Sequence, residues 1–169
     1  SYDSIIDNNE VYNNGMTGIW IESVAGESYN NIISNNIVYG NLFANGSSDG
    51  IGLVQSASFD NHDNQIIGNT VYNNGDEGID IFNTYSNLIK NNISYGNINP
   101  DGNGNGFNLG GLKDGKYGGN NTIINNISYD NKSSGFDDNW TKENKYYNNV
   151  AYNNGHYWFN NSWGYGVAP

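Results

Sequence analysis

The fold of this chain is decided by a stretch near its middle, Asn69-Thr70-Val71-Tyr72-Asn73-Asn74, which a short loop joins to Gly78-Ile79-Asp80-Ile81. The first part recurs around six tyrosines, each with an asparagine three residues before it and another two residues after it: Tyr12, Tyr39, Tyr72, Tyr95, Tyr129 and Tyr152. The second part recurs five times as a glycine followed by an apolar residue, at Gly18, Gly50, Gly78, Gly106 and Gly135. Successive tyrosines lie 23 to 34 residues apart, so the chain is built from repeats.

The repeat predicts a solenoid of short parallel strands. A β-rich doublet such as Ile66-Ile67 lies upstream of each tyrosine, and no helical pattern separates the elements. Short strands at such a period are typical of a solenoid, in which each coil stacks about 4.8 Å from the next. We therefore expect an all-β, right-handed parallel β-helix of about six turns, one for each tyrosine.

Strand alternation predicts which side chains face inward and which face outward. Ile19, Ile79 and Phe107 are expected inside. The residues between the inward positions are expected to form an outward row on one sheet: Trp20, Gly52, Asp80, Asn108 and Asp137. The two repeated asparagines are expected to form ladders, since an inward amide can bond the same amide in neighbouring coils. Asparagine also tolerates the left-handed backbone of tight corners.

Composition narrows the functional classes. The 169 residues include six lysines, no arginine and 17 acidic residues, for a formal charge of −11 at pH 7. Nucleic-acid binding needs a clustered basic surface, and no apolar run is long enough to span a bilayer, so we expect neither nucleic acid nor membrane insertion. The absence of cysteine excludes a disulfide framework and thiolate chemistry. We expect one secreted domain over residues 1–169, monomeric or part of a larger multidomain protein of which this is a segment.

Four acidic residues form a group of their own. Asp76-Glu77-Gly78-Ile79-Asp80 puts three carboxylates at a loop-to-strand junction, and Asp49 has the register of Glu77 one turn earlier. Carboxylates this close repel one another unless they are protonated or bound to a cation. Hard oxygen ligands suit Ca²⁺ better than zinc or iron. A solvated acidic rim explains the same spacing, so the residues alone leave both interpretations open.

The segment from about Asn45 to Asn161 resembles the family-nine polysaccharide lyases, which are calcium-dependent pectate lyases built on a right-handed parallel β-helix. The resemblance rests on the acidic segment at 76–80, one turn before Gly104-Asn105-Gly106-Phe107-Asn108-Leu109-Gly110-Gly111. It implies an acidic polysaccharide as substrate and Ca²⁺ as cofactor. The metal ligands that it implies are Asp49, Asp76, Glu77 and Asp80.

The chain departs from that family at Asn108. The family has lysine there, and that lysine removes the proton from C5 of the uronate, whereas a neutral amide is not a general base at ordinary pH. The resemblance implies β-elimination, with Ca²⁺ neutralising the uronate carboxylate. Lys113 and Lys116 in the following loop are candidate replacement bases. Alternatively, the protein binds polyuronate without cleaving it, or its substrate and mechanism have diverged.

Further residues are candidates for sugar contact or for a different chemistry. Trp20 and Trp140 are candidate substrate-binding aromatics, because an indole face is a common carbohydrate platform, and Asn108 and Asp137 are expected to contact substrate from the outward row. Asp137-Asp138 also resembles the paired acid and base of polygalacturonase-type hydrolases, but the Asn-Thr-Asp, Gly-His-Gly and Arg-Ile-Lys segments of that family do not occur in the chain. The favoured function is a calcium-dependent polyuronate lyase, and the main rival is a non-catalytic calcium- and glycan-binding β-helix. A purely structural solenoid is a third possibility.

Overall fold

The structure is a computed structural model that describes residues 1–43, 48–55, 59–113, 115–156 and 159–160, without the side chains at 112, 113, 116, 117, 159 and 160. Within these residues all regular structure is β-strand, and no helix that could cross a membrane is present. The strands are β1 (Ile5–Asp7), β2 (Glu10–Tyr12), β3 (Ile19–Glu22), β4 (Ser28–Tyr29), β5 (Ile32–Ser34), β6 (Ile37–Tyr39), β7 (Ile51–Val54), β8 (Asn61–His62), β9 (Gln65–Ile67), β10 (Thr70–Tyr72), β11 (Ile79–Phe82), β12 (Leu88–Lys90), β13 (Ile93–Tyr95), β14 (Phe107–Asn108), β15 (Leu112–Lys113), β16 (Lys116–Gly119), β17 (Thr122–Ile124), β18 (Ile127–Tyr129), β19 (Phe136–Asp137), β20 (Thr141–Lys142), β21 (Lys145–Tyr147), β22 (Val150–Tyr152) and β23 (Phe159–Asn160).

Three parallel sheets run along the molecule, and each takes one strand from every coil. The first is β1-β5-β9-β12-β17-β21, the second β2-β6-β10-β13-β18-β22, and the third β3-β7-β11-β14-β19-β23. Equivalent repeat positions pair directly: Tyr72 pairs with Tyr39 on one side and with Tyr95 on the other. Six strands in each sheet confirm the expected all-β parallel β-helix of six coils.

An apolar column fills the inner face of the third sheet. Ile51, Ile79, Phe107 and Phe136 occupy successive coils and are at most 1% exposed. Phe107 and Phe136 stack with their ring centroids 4.8 Å apart. Full burial of side chains of this size contributes on the order of 1.5–3 kcal/mol each. The column therefore keeps the coils in register. Because inward and outward residues alternate along each strand, it also aligns the outward residues of the third sheet.

Asparagine ladders are present as expected, but the described part of the chain forms three of them and not two. Asn92 shows the pattern: its Nδ2 donates to Asn126 Oδ1 at 3.0 Å and to the Ile66 carbonyl oxygen at 2.8 Å. The first ladder is Asn9, Asn36, Asn69, Asn92, Asn126 and Asn149; the second is Asn14, Asn41, Asn74, Asn97, Asn131 and Asn154; the third is Asn31, Asn64, Asn87, Asn121 and Asn144. The third ladder was missed because no tyrosine marks it in the sequence.

A separate set of asparagines takes the left-handed backbone. Asn73 and Asn91 have φ angles of 53° and 56°, and each directly precedes a ladder asparagine. The left-handed corner therefore belongs to the neighbour of the ladder residue and not to the ladder residue itself, which corrects the expectation from sequence. Asparagine doublets recur because the first residue adopts the positive φ of the corner and the second points its amide into the ladder.

The repeated tyrosines form an outer column on the second sheet. Their rings stack face to face, with centroids 4.8–5.0 Å apart and interplanar angles of at most 10°. Each of the four inner rings thus stacks on the rings of both neighbouring coils, and the end rings Tyr12 and Tyr152 each stack on one. The tyrosine of the repeat is explained by this stacking, which holds neighbouring coils together.

One hairpin departs from the coil just after the third sheet. Strands β15 and β16 are antiparallel, and their backbone register places Lys113 opposite Lys116. Strand β16 then pairs with β20 of the next coil in parallel. The hairpin therefore begins close to Asn108, the last residue of β14.

Candidate active site

The outward row of the third sheet has the predicted members in the predicted order. Backbone pairing aligns Trp20 with Gly52, Gly52 with Asp80, Asp80 with Asn108, and Asn108 with Asp137. Exposure differs sharply along the row, since Trp20 is 45% exposed and Asp80 only 9%. The expectation that the whole row faces solvent is therefore wrong at Gly52 and at Asp80, both of which are buried.

Asp49 and Glu77 belong to a second line of residues, directly before the glycine that opens each strand. The Gly50 N–H donates to the Glu77 carbonyl oxygen at 3.0 Å. The side chains of this line also bond to the next coil. Asp49 Oδ1 accepts from the Glu77 N–H at 3.2 Å, and Thr17 Oγ1 accepts from the Asp49 N–H at 3.2 Å. These bonds hold the Asp49 carboxylate against Glu77.

The four predicted acidic residues line one cavity. One carboxylate oxygen from each of Asp49, Asp76 and Glu77 lies within 4.8 Å of the others. With Asp80 they line a cavity of about 470 Å³, whose other lining residues are Met16, Thr17 and Trp20. Asp49 and Glu77 are 6% and 3% exposed, and Asp76 is partly buried. The alternative interpretation as a solvated acidic rim is therefore wrong.

Burial and mutual repulsion raise the pKa values of Asp49, Glu77 and Asp80. Burial raises the pKa of Asp49 to about 6, partly opposed by hydrogen bonds with Glu77 and Thr17. Burial raises the pKa of Glu77 well above its usual range, and the charges of Asp80, Asp49 and Asp76 add to the effect. The pKa of Asp80 is raised well above its usual range by burial and then by the charge of Asp49. Four anions at this site are costly, so the site favours protonation or a bound cation.

Asparagines of the following coil donate hydrogen bonds to this cluster. Asn103 donates its backbone N–H to Asp76 Oδ1 at 2.5 Å and its Nδ2 to Glu77 Oε1 at 3.0 Å. Asn108 donates its Nδ2 to Asp80 Oδ1 at 2.8 Å. Amide donors of this kind orient carboxylates without adding charge.

Sequence reasoning missed Asn103, although the sequence carried a signal for it. Asn103 lies in Gly102-Asn103-Gly104-Asn105-Gly106, and alternating glycines mark a backbone that approaches another closely. A Cβ at Gly102 would lie 2.0 Å from the Gly75 carbonyl oxygen. The loop therefore runs directly over the segment that carries Asp76.

Trp20 forms the apolar wall of the cavity because Gly52 has no side chain. A Cβ at Gly52 would lie 2.5 Å from Cε3 and 2.7 Å from Cζ3 of the indole. The ring therefore lies over the gap that Gly52 leaves in the outward row, and its Nε1 donates to Glu22 Oε2 at 3.1 Å. A half-exposed indole that is fixed by such a hydrogen bond can stack on the apolar face of a sugar ring.

Asp137, the last residue of β19, and Asp138, which follows it, differ in burial. Asp137 Oδ2 accepts from Asn139 Nδ2 at 3.1 Å in the outward row. Asp138 is 1% exposed and accepts from the Thr141 hydroxyl and from Asn144 Nδ2, and burial raises its pKa. The two carboxylates cannot flank one glycosidic bond, so the hydrolase hypothesis is wrong.

The remaining predicted site residues are not among those that line the cavity. Asp137 and Trp140 do not line it; Trp140 is 36% exposed with a φ of 55°. Lys113 and Lys116 are placed only by the backbone of their hairpin, since their side chains lie outside the described residues. Their suggested roles remain predictions.

The donor set of the cavity fits Ca²⁺. It offers four carboxylates, the hard oxygen donors that Ca²⁺ prefers. Among the side chains that the structure describes, no lysine or histidine pairs with any of the four. The buried negative charge of Asp49, Glu77 and Asp80 is therefore not balanced by a described basic group, and a divalent cation is the counter-charge that fits.

The fold and the site together define a β-solenoid with an acidic cavity that has Trp20 as its apolar wall. The chain belongs to the family described as right handed beta helix region, which matches residues 1–113. This membership confirms the expected right hand of the coil.

Comparison with individual proteins connects the chain to pectate lyases. It is 33% identical over 143 residues to pectate lyase L of Dickeya dadantii (strain 3937), a match that covers 79% of this chain and 32% of that protein. The crystal structure of pectate lyase Pel9A matches with 26% identity and a TM-score of 0.67, over 91% of this chain and 39% of that one. The A-module of the Azotobacter vinelandii mannuronan C-5 epimerase AlgE4 shares the fold, with 17% identity and a TM-score of 0.54 over 99% of this chain and 52% of that one. The chain spans about a third of the length of the curated pectate lyase.

Proposed function

We propose that this β-helix is a secreted polysaccharide lyase of the family-nine type, which cleaves an acidic, uronate-containing polysaccharide such as pectate by calcium-assisted β-elimination. One observation carries the proposal: four carboxylates, three of them buried, share a cavity with a half-exposed indole. The similarity to pectate lyases supports the substrate class. The activity requires a ligand set for a cation and a surface for sugar, and the cavity offers both.

Each residue of the cavity has a proposed role. Asp49, Asp76, Glu77 and Asp80 hold the cation, and Trp20 stacks on a sugar ring. Ca²⁺ bound there supplies charge neutralisation of the uronate carboxylate, which acidifies the neighbouring C5–H. Asn108 keeps Asp80 oriented through its hydrogen bond of 2.8 Å and donates no proton to and takes none from the substrate.

The elimination also needs a base. The base takes the C5 proton, the C5–H electron pair forms the C4–C5 double bond, and the C4–O bond breaks with protonation of the leaving oxygen. Lys113 and Lys116 are the proposed candidates, because β14 ends at Asn108 and β15 begins at Leu112. Their candidacy is supported by the hairpin that directly follows β14, in which the backbone of Lys113 pairs with that of Lys116.

A non-catalytic calcium- and glycan-binding module is the second candidate function. It is favoured by Asn108, a neutral amide bonded to Asp80 at the position where the resembled family has its basic lysine. In this case Asp137 and Trp140 extend the sugar-binding surface beyond the cavity.

The two functions are separated by the ultraviolet absorbance of unsaturated product from polygalacturonate and from alginate, with Ca²⁺ and with chelator. We expect product only with Ca²⁺, and none from Asp80→Asn. Asp3→Asn makes the same chemical change at an exposed position away from the cavity and should retain full activity. If neither polymer yields product while Ca²⁺ and polymer still bind, the protein is the binding module instead.

A further inference from the structure

The ammonium group of Lys132 is held by backbone carbonyls of the preceding coil. Its Nζ donates to the carbonyl oxygens of Gly102 at 2.6 Å, Pro100 at 2.8 Å and Asn99 at 3.4 Å. The Lys132 backbone N–H donates to the Asn97 carbonyl oxygen at 3.1 Å. Three oxygens around one ammonium match its three donors.

The stem of Lys132 packs against Gly104, at the other end of the same loop. A Cβ at Gly104 would lie 2.5 Å from Cβ and 3.1 Å from Cδ of Lys132, and Gly104 has a φ of 75°. The Ser133 N–H donates to the Gly104 carbonyl oxygen at 2.9 Å. Lys132 therefore contacts the segment 99–104, hereafter the 99–104 loop, near both of its ends.

Asn103 lies between these two attachments and contacts the acidic cavity. Its N–H and its Nδ2 donate to Asp76 and Glu77 respectively. Asn103 is exposed, so packing of its own side chain does not hold it in place. Its position depends on the backbone of the 99–104 loop, and Lys132 is the side chain from the next coil that bonds to this backbone.

We propose that Lys132 is a positioning residue for the acidic cavity: it keeps Asn103 bonded to Asp76 and Glu77 and thereby sets these carboxylates for a divalent cation. The inference rests on the proposed function in that a divalent cation binds there. Electrostatics alone makes the opposite prediction, because removing a positive charge near several carboxylates favours cation binding. A loss of cation affinity on neutralising Lys132 therefore identifies positioning and not charge.

Lys132→Met tests the proposal, since methionine keeps the apolar stem beside Gly104 and removes the ammonium. Lys145→Met removes the same charge from an exposed position on β21 and is the matched control. The first measurement is hydrogen exchange of the Asn103 amide in chelator, expected to accelerate about tenfold in Lys132→Met only. The second is a terbium titration of each protein, in which the dissociation constant is expected to rise about fivefold in Lys132→Met only.

The outcomes separate this proposal from the proposed function. Unchanged exchange at Asn103 overturns the role of Lys132, whatever the cation does. Faster exchange with unchanged or tighter terbium binding also overturns it, because the loop then does not set the carboxylates. If the wild-type chain binds no terbium but exchange at Asn103 still responds to Lys132→Met, the attachment of the loop is supported and the cation site fails.

Discussion

Asn108 donates its Nδ2 to Asp80 Oδ1 at 2.8 Å across one coil of the third sheet. Asn108 Oδ1 in turn accepts from Asn139 Nδ2 at 3.4 Å. Both polar atoms of the amide are thus engaged by neighbouring coils. In the lyases that the chain resembles, a basic lysine has this position. In this chain Asn108 orients Asp80, a proposed metal ligand, and is not itself a base. Cation binding and proton removal can therefore be tested with separate variants.

Asn108→Lys tests whether a base at position 108 accelerates the elimination. An amine can accept a proton that an amide cannot, and a positioned general base contributes on the order of 10²–10⁴ in rate. We expect the initial rate of unsaturated-product formation with Ca²⁺ to rise by at least about tenfold. Asn139→Lys introduces the same charge at the neighbouring amide and should give no gain. An unchanged rate in Asn108→Lys, with Ca²⁺ and polymer bound and product still formed, would show that position 108 does not limit proton removal and would leave Lys113 and Lys116 as the candidates for the base.

Trp20 should report directly on a bound cation. It lines the cavity with the four carboxylates, and energy transfer from an indole to terbium falls steeply with distance. Trp20→Phe is expected to remove most of the terbium luminescence excited through tryptophan and to leave the Ca²⁺ affinity measured by calorimetry unchanged. Trp140→Phe, outside the cavity, should keep the luminescence. Retained luminescence in Trp20→Phe would place the ion elsewhere.

Gly52→Ala should displace the indole of Trp20, the side chain nearest to the new Cβ. The new Cβ would lie 2.5 Å from the Trp20 ring, and overpacking of this kind costs about 1–3 kcal/mol unless the ring moves. We expect weaker binding of oligouronates, measured by calorimetry, with unchanged Ca²⁺ affinity. Gly15→Ala adds a Cβ with no atom within 4 Å and serves as the control. Equal oligouronate affinity in both variants would remove Trp20 from the substrate surface.

The calcium-free protein should lose stability as the pH rises. Burial raises the pKa of Asp49 to about 6 and also raises the pKa values of Glu77 and Asp80. Between the ordinary carboxyl pKa of about 4 and these raised values the folded state binds more protons than the unfolded state. The stabilisation of the folded state by these bound protons is complete below the pKa values of the unfolded state. It is lost as the pH rises through the raised pKa values of the folded state. In chelator we expect Tm to fall by on the order of 5 °C from about pH 5 to about pH 8.

Two variants separate the contribution of the cavity carboxyl groups to this fall in Tm from that of the chain's overall negative charge. Glu77→Gln should flatten the fall, whereas Asp3→Asn should leave it as steep as in the wild type. Ca²⁺ should restore Tm at the higher pH, because it replaces the protons as counter-charge. Parallel curves for wild type and Glu77→Gln would show that the cavity carboxyls do not control the effect.

The ladders should be far less tolerant than the corners beside them. Asn92→Ala leaves the Asn69 amide and the Ile66 carbonyl without their bonds to this fully buried side chain. We expect a loss of about 2–5 kcal/mol in the free energy of unfolding, measured with urea. Asn91→Gly changes the adjacent left-handed residue, whose φ of 56° glycine adopts readily, and should cost less than about 1 kcal/mol. Similar losses in the two variants would contradict this division of roles.

The coil itself was predictable from the sequence, and the reason is periodicity. In a solenoid every contact between coils joins equivalent repeat positions, so a repeat names the spatial neighbours directly. The tyrosine spacing predicted the six coils, and the glycine positions predicted that Asp49 lies beside Glu77. The same register placed Asp80 next to Asn108, as their backbone pairing shows.

What only the tertiary structure decided is depth, and the contribution of the loops. Asp80, Glu77 and Asp138 are buried, whereas Asp137 is only partly buried. The burial of a side chain depends on atoms contributed by several coils, so it cannot be derived from the spacing of residues in the sequence. Asn103 and Lys132 meet through the 99–104 loop, and loops of unequal length carry no period from which a register can be counted. The sequence by itself therefore determined which residues are neighbours along the coil, and the folded loops determined which of them became a cavity.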